Sequence, residues 1–124
     1  MFQHTSYARF VNAKQIHNID NDDNEDILQA EGFYLDRATA DIYINGIADG
    51  FSLSHNSQGF FIVKINAFLE IVFYSVFDFG KTPVGGEMVF DGTNLFSIFG
   101  YQSDLVESHR WGLVSMKAAD GTVN

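Results

Sequence analysis

The chain reads as mainly β, shading to α+β if its C-terminal segment is helical, and three observations lead there. Apolar and polar residues alternate with period two, most clearly where Ala40, Ile42 and Ile44 interleave with Asp41, Tyr43 and Asn45. Turn dipeptides (Asn45-Gly46, Asp49-Gly50, Asp91-Gly92) punctuate the chain between aromatic-rich runs. Thirteen Phe, five Tyr and one Trp supply large rings, which favour strands and fill cores. Turn signals roughly eight to twelve residues apart predict an antiparallel meander forming a curved sheet, a sandwich or a barrel.

Taken in order, Tyr7 to Val11 is a first strand, and Ala13 to Ile19 fits helix or strand. Residues 20–26 contain no apolar side chain and read as a solvated loop. Ile27 to Leu35 is a strand with Gly32 as a bulge, and Asp36-Arg37-Ala38-Thr39 is a turn. After the strand through Ile44, Asn45-Gly46 reads as a hairpin turn. Phe51, Leu53 and His55 share one strand face, and His55 to Gly59 is another turn. Phe60 to Ile65 follows. Phe68 to Phe79 is apolar on both faces and predicts a central strand covered on both sides. Gly80 to Gly86 reads as a loop. Met88 to Phe90 and Asn94 to Tyr101 flank the Asp91-Gly92 hairpin. Ser103 to Lys117 is the helix candidate: Ser103 caps, Asp104 suits the first turn, and Leu105, Val106, His109, Leu113 and Met116 fall near one face. A strand over Gly112 to Met116 is the alternative, and Ala118 to Asn124 should be loose.

The 124 residues fit one domain over 1–124, long enough to hold a core without staples. There is no cysteine, which excludes disulfides and thiolate metal sites. No basic segment followed by an apolar run opens the chain, so no signal peptide is expected. The longest apolar stretch is interrupted by Glu70, Ser75 and Asp78 and is too short to span a bilayer. The expected location is cytoplasmic, with no membrane association. Sixteen carboxylates against seven basic side chains give a formal charge of −9. That field repels phosphate backbones, so nucleic acid is not an expected partner, and it attracts basic proteins. Solubility alone would also account for it.

Catalytic and metal signatures are weak. From Asp20, an EF-hand-like spacing runs through Asp22, Asn24, Asp26 and Glu31. Glu25 stands where that loop needs Gly, and Gly32 follows where a helix should start, so a solvated acidic loop is the better reading and no metal or other cofactor is expected. His4, His17, His55 and His109 have no zinc-ligand spacing. Ser52, Ser54 and Ser57 near His55 lack a nucleophile elbow. Glu70 and Asp78 lie eight apart in the most apolar run and would share a strand face; burial would make them proton-transfer candidates, a solvated rim would not. No glycine-rich phosphate loop is present.

What remains is binding. The acidic interface candidates are Asp20, Asp22, Asp23, Glu25 and Asp26 in the loop, with Asp36, Asp41 and Asp49 beyond it; Tyr34, Tyr43 and Phe51 are aromatic anchor candidates. In size, acidity and lack of catalytic motifs the chain resembles bacterial immunity proteins, including those of contact-dependent growth inhibition. That resemblance implies a non-catalytic module that neutralises a basic partner such as a toxin nuclease. Its acidic surface would steer the partner and aromatic anchors would close over it. Two other classes stay open. One is a small-molecule-binding β domain or small enzyme with an aromatic-lined pocket, using Glu70, Asp78 and His55. The other is a structural or assembly subunit that joins through sheet edges. The oligomeric state is left open.

Overall fold

The run Phe60 to Ile65, broken only by Lys64, leaves no polar face for a strand to turn to water, so both of its faces need cover. The fold is organised around that need. The structure, a computed structural model, describes residues 27–49, 58–78, 81–102 and 109–124. Seven strands follow in order: β1 (Ile27–Asp36), β2 (Asp41–Asp49), β3 (Gln58–Ile65), β4 (Ile71–Phe77), β5 (Lys81–Phe90), β6 (Asn94–Gln102) and β7 (His109–Lys117). They form two open antiparallel sheets, β1-β2-β3-β4 and β5-β6-β7, with every hydrogen-bonded neighbour adjacent in sequence. Strand β5 lies against β1, β2 and β3, which stacks one sheet on the other. No described helix is long and apolar enough to cross a membrane.

Between the sheets lies the main core. Tyr43, Phe60 and Ile62 point into it from the first sheet; Met88, Leu95, Phe99, Val114 and Met116 meet them from the second. The Phe60 ring stacks on Phe99 at 5.1 Å between centroids, and Phe77 and Tyr101 extend this aromatic row at 6.3 and 5.8 Å. Tyr34, Tyr43 and Phe90 close a second aromatic group at 6.0 to 6.4 Å. The opposite face of β3 is also buried: Phe61, Val63 and Ile65 form a separate cluster with Ala48, and Ile44, Ile71 and Val76 pack on it. The strand covered on both faces is therefore β3, not the Phe68 to Phe79 run. There β4 is shorter and is an edge strand of its sheet, with half-buried and exposed residues alternating over 71–74 and half-buried residues after them.

Several turns follow from local chemistry. Asp36 accepts hydrogen bonds from the Ala38 amide (3.0 Å) and the Thr39 hydroxyl (3.1 Å), and Ala40 turns the chain at φ 62°. Asp91 accepts from the Thr93 and Asn94 amides at 2.9 and 2.7 Å, which holds its carboxyl below the usual range, and Gly92 takes φ 99°. The β1 bulge falls where Gly32 predicts it, as a register shift between Ala30 and Gly32.

Other expectations are corrected. The C-terminal helix over Ser103–Lys117 is not formed in its described part: His109–Lys117 is β7, and 103–108 lie outside the described residues. Here the period-two pattern wins, because Val114 and Met116 alternate inward while Trp111 and Leu113 alternate outward. Gly112 sits between them with no side chain because the Phe99 ring occupies that space. Asn45-Gly46 is not a turn but the middle of β2. Lys81 to Gly86 is not loop but the first part of β5, irregular at two register shifts. The C-terminal tail is tied rather than loose: Lys117 donates to the Thr122 carbonyl (2.8 Å), Asn124 donates to the Ser115 carbonyl (2.9 Å), and Met116 bridges Val123. The strand at Tyr7 to Val11, the segment Ala13 to Ile19 and the acidic loop lie outside the described residues.

Two glycines separate packing from backbone geometry. A Cβ at Gly46 would collide with the Gln29 carbonyl of the adjacent strand, whereas one at Gly92 would meet nothing but would sit at strained φ. Gly46→Ala should therefore lose about 3 kcal/mol and Gly92→Ala about 1 kcal/mol in urea denaturation at unchanged m-value. Equal losses would contradict this assignment.

Candidate functional site

Polar groups converge at two places on the described surface. The first is the end of the sandwich where the β1–β2 and β5–β6 hairpins meet. Lys64 is only 8% exposed, so its ammonium needs partners. It donates to the Ala118 carbonyl at 2.8 Å and pairs with Asp41 at 3.4 Å, lying 5.4 Å from the centre of the Tyr43 ring. Tyr43 also donates to the Ala118 carbonyl, at a long 3.4 Å. Ala118 is fixed in turn by its amide, which donates to the Thr93 carbonyl at 3.0 Å. These bonds tie first-sheet residues to the C-terminal turn. They line a hollow of about 510 Å³ with Asp36, Thr39, Phe90 and Thr93. Burial raises the Tyr43 phenol above its ordinary 10.0, outweighing the opposite pull of the Lys64 ammonium.

The second place is the seam where β1 meets β5. In β1, Tyr34 pairs with Tyr43 and turns inward, which sends its neighbour Phe33 outward beside Ile44. Phe33 is 72% exposed. It borders a hollow of about 340 Å³ with Ala30, Ile42 and Ile44, and another of about 370 Å³ with Gly86 and Glu87; Glu31 and Gly32 line both. The Glu31 carboxylate accepts from the Gly85 amide and from Gln29, which anchors this carboxylate across the seam. An apolar depression is thereby framed by Glu31 and Glu87, both exposed. Its chemistry suits a side chain with an apolar stem and a cationic head.

The structure separates the residues that the sequence groups together. Asp36 and Asp41 are register partners at the hairpin end, and Asp49 closes the other end of β2, about 26 Å away along the strand. Asp36 is occupied by its own turn and Asp41 by Lys64. Tyr43 is a core ring, 1% exposed, and Tyr34 is packed against the core, so neither presents a free ring to a partner. Phe51 and residues 20–26 lie outside the described residues, as do His4, His17, and His55. Glu31 belongs to β1, and His109 is exposed on β7. Glu70 is exposed in the turn before β4 and does not share a strand with Asp78. Among the described residues no cluster of His, Asp and Glu is suited to hold a metal. Sequence reasoning missed Phe33, Glu87 and Lys64. The adjacent Phe33-Tyr34 pair held the signal for one inward and one outward ring, without saying which.

A raised Tyr43 pKa means that the unfolded chain loses this proton first as pH rises. Its contribution to stability is complete below about pH 10 and is lost as pH climbs above it. Tyr43→Phe should therefore show a shallower fall in urea stability from about pH 9 to 11 than the parent chain. Parallel profiles would contradict the role given to the phenol.

Compared with protein-family models, with curated proteins and with solved structures, the chain matches none of them.

Proposed function

We propose that this chain is a non-catalytic binding module that engages a basic protein, in the manner of an immunity protein covering a toxin domain. The observation that carries the proposal is the seam between β1 and β5: an open aromatic ring, Phe33, beside an apolar hollow bordered by the carboxylates Glu31 and Glu87. A lysine or arginine of the partner would lay its stem along Phe33, Ile42 and Ile44 and bring its charge to the carboxylates. The formal charge of −9 adds long-range steering. The described charge is uneven in a way that serves this site. Among the described side chains of the first sheet and its turns, five carboxylates (Glu31, Asp36, Asp41, Glu70, Asp78) outnumber two basic groups (Arg37, Lys64).

The small-molecule alternative would use the hollow at Lys64, which has converging polar groups. There the ammonium already serves Ala118 and Asp41, so a ligand would have to displace bonds that hold the fold. The seam carries no such burden on Phe33.

The test is capture from the lysate of the cell that makes the protein, at low salt, followed by association kinetics with whatever basic protein elutes in stoichiometric amount. The association rate should fall steeply as ionic strength rises, and Phe33→Ser combined with Glu87→Gln should weaken binding by about 100-fold. No basic partner, or a partner indifferent to both salt and these substitutions, would overturn the proposal.

A further inference from the structure

The outward face of the second sheet presents the opposite character. Register places Val84, Gly100 and Trp111 in one cross-strand row, Ile98 and Leu113 in the next, and Val89, Phe96 and Ser115 in the third. Trp111 is 76% exposed, Val89 61% and Leu113 56%, with Val84 and Ile98 about half exposed. The strand alternation explains how they come to lie together: Val114, Met116, Leu95 and Phe99 take the inward positions, and the intervening apolar residues have nowhere to go but outward. These side chains offer on the order of 500 Å² of apolar surface, near the upper end for a monomer's largest patch. With its polar rim, the face approaches the roughly 800 Å² per partner of a stable interface.

We infer that this face is the contact between two copies of the chain, stacked sheet on sheet about a two-fold axis. Charge selects a second copy as the occupant. Among the side chains described from 83 onward, two basic groups (Arg110, Lys117) stand against three carboxylates (Glu87, Asp91, Asp120), a smaller excess of negative charge than in the first sheet. A basic partner gains less steering there than at the first sheet, and two copies of a −9 chain meet there with less repulsion. An isologous contact needs one self-complementary patch, and an apolar sheet face can supply it. Pairing through the β7 edge is obstructed at Ser115–Lys117, where the returning tail already takes the backbone bonds. The face and the Phe33 seam lie on different surfaces, so one copy can dimerise and still engage its basic partner.

Sedimentation velocity on the full chain, from about 1 μM to 1 mM, reads the result. The chain should dimerise with increasing concentration, and more strongly as salt screens the like charges. That is the reverse of the salt response expected for the basic partner. Trp111→Glu and, independently, Val89→Glu should weaken the dimer at least about 10-fold while circular dichroism stays unchanged. Phe33→Glu should leave the dimer intact, which separates failure here from failure of the binding seam. A chain that stays monomeric to the top of the range would overturn the inference. So would a dimer indifferent to both the Trp111 and Val89 substitutions, or one lost with Phe33→Glu.

Discussion

The two sheets are held in register by the close approach of β2 to β5, and that approach centres on one side chain. Asn45 is fully buried, and its amide nitrogen donates to the Gly86 carbonyl at 2.8 Å and to the Ser97 hydroxyl at 2.9 Å. Those bonds reach from the first sheet to both β5 and β6. They are possible because glycine surrounds the amide: a Cβ at Gly32 or Gly85 would come within 2.8 or 2.6 Å of the Asn45 carbonyl oxygen. That oxygen has no hydrogen-bond partner, a local cost accepted where the backbones are packed this closely. The seam carrying Phe33, Glu31 and Glu87 is the outer rim of the same approach. At the other end of the sandwich, Lys64 plays a related part through Ala118.

This constraint explains which parts of the fold could be read from sequence. Local chemistry made Asp36–Thr39 and Asp91-Gly92 legible as turns, since a carboxylate capping nearby amides needs no distant partner. The strand through Ile44 was legible from its period-two alternation, and the bulge from Gly32 inside a strand run. Asn45-Gly46 was misread because it carries a hairpin signature, while its burial depends on Gly86 and Ser97, far away in sequence. The glycines from 80 to 86 suggested a loop, yet Gly85 is small so that Asn45 and Glu31 can pass. The segment after Ser103 satisfied helical and strand periods together, and only pairing with β6 decides for the strand.

The site was less legible than the fold. Acidity and aromatic content pointed to binding, but counting charges could not reveal that Asp36 and Asp41 are used internally. Nor could it separate core rings from open ones. Phe33 is open because Tyr34 faces Tyr43 and Phe90, and Trp111 is open because the adjacent Gly112 faces Phe99. Two surfaces of different character result. One is acidic and indented; the other is an apolar sheet face.

Both surfaces depend on the sheets staying docked, so the direct measurement is native-state hydrogen exchange on Asn45→Ala. Removing the amide leaves the Gly86 carbonyl and the Ser97 hydroxyl without the donor that satisfies them, at about 1–3 kcal/mol for each buried group. If Asn45 joins the sheets into one cooperative unit, the β3 and β6 amides should lose protection together and by the same amount. Protection lost in one sheet alone, or unchanged in both, would contradict the claim that this contact governs the fold.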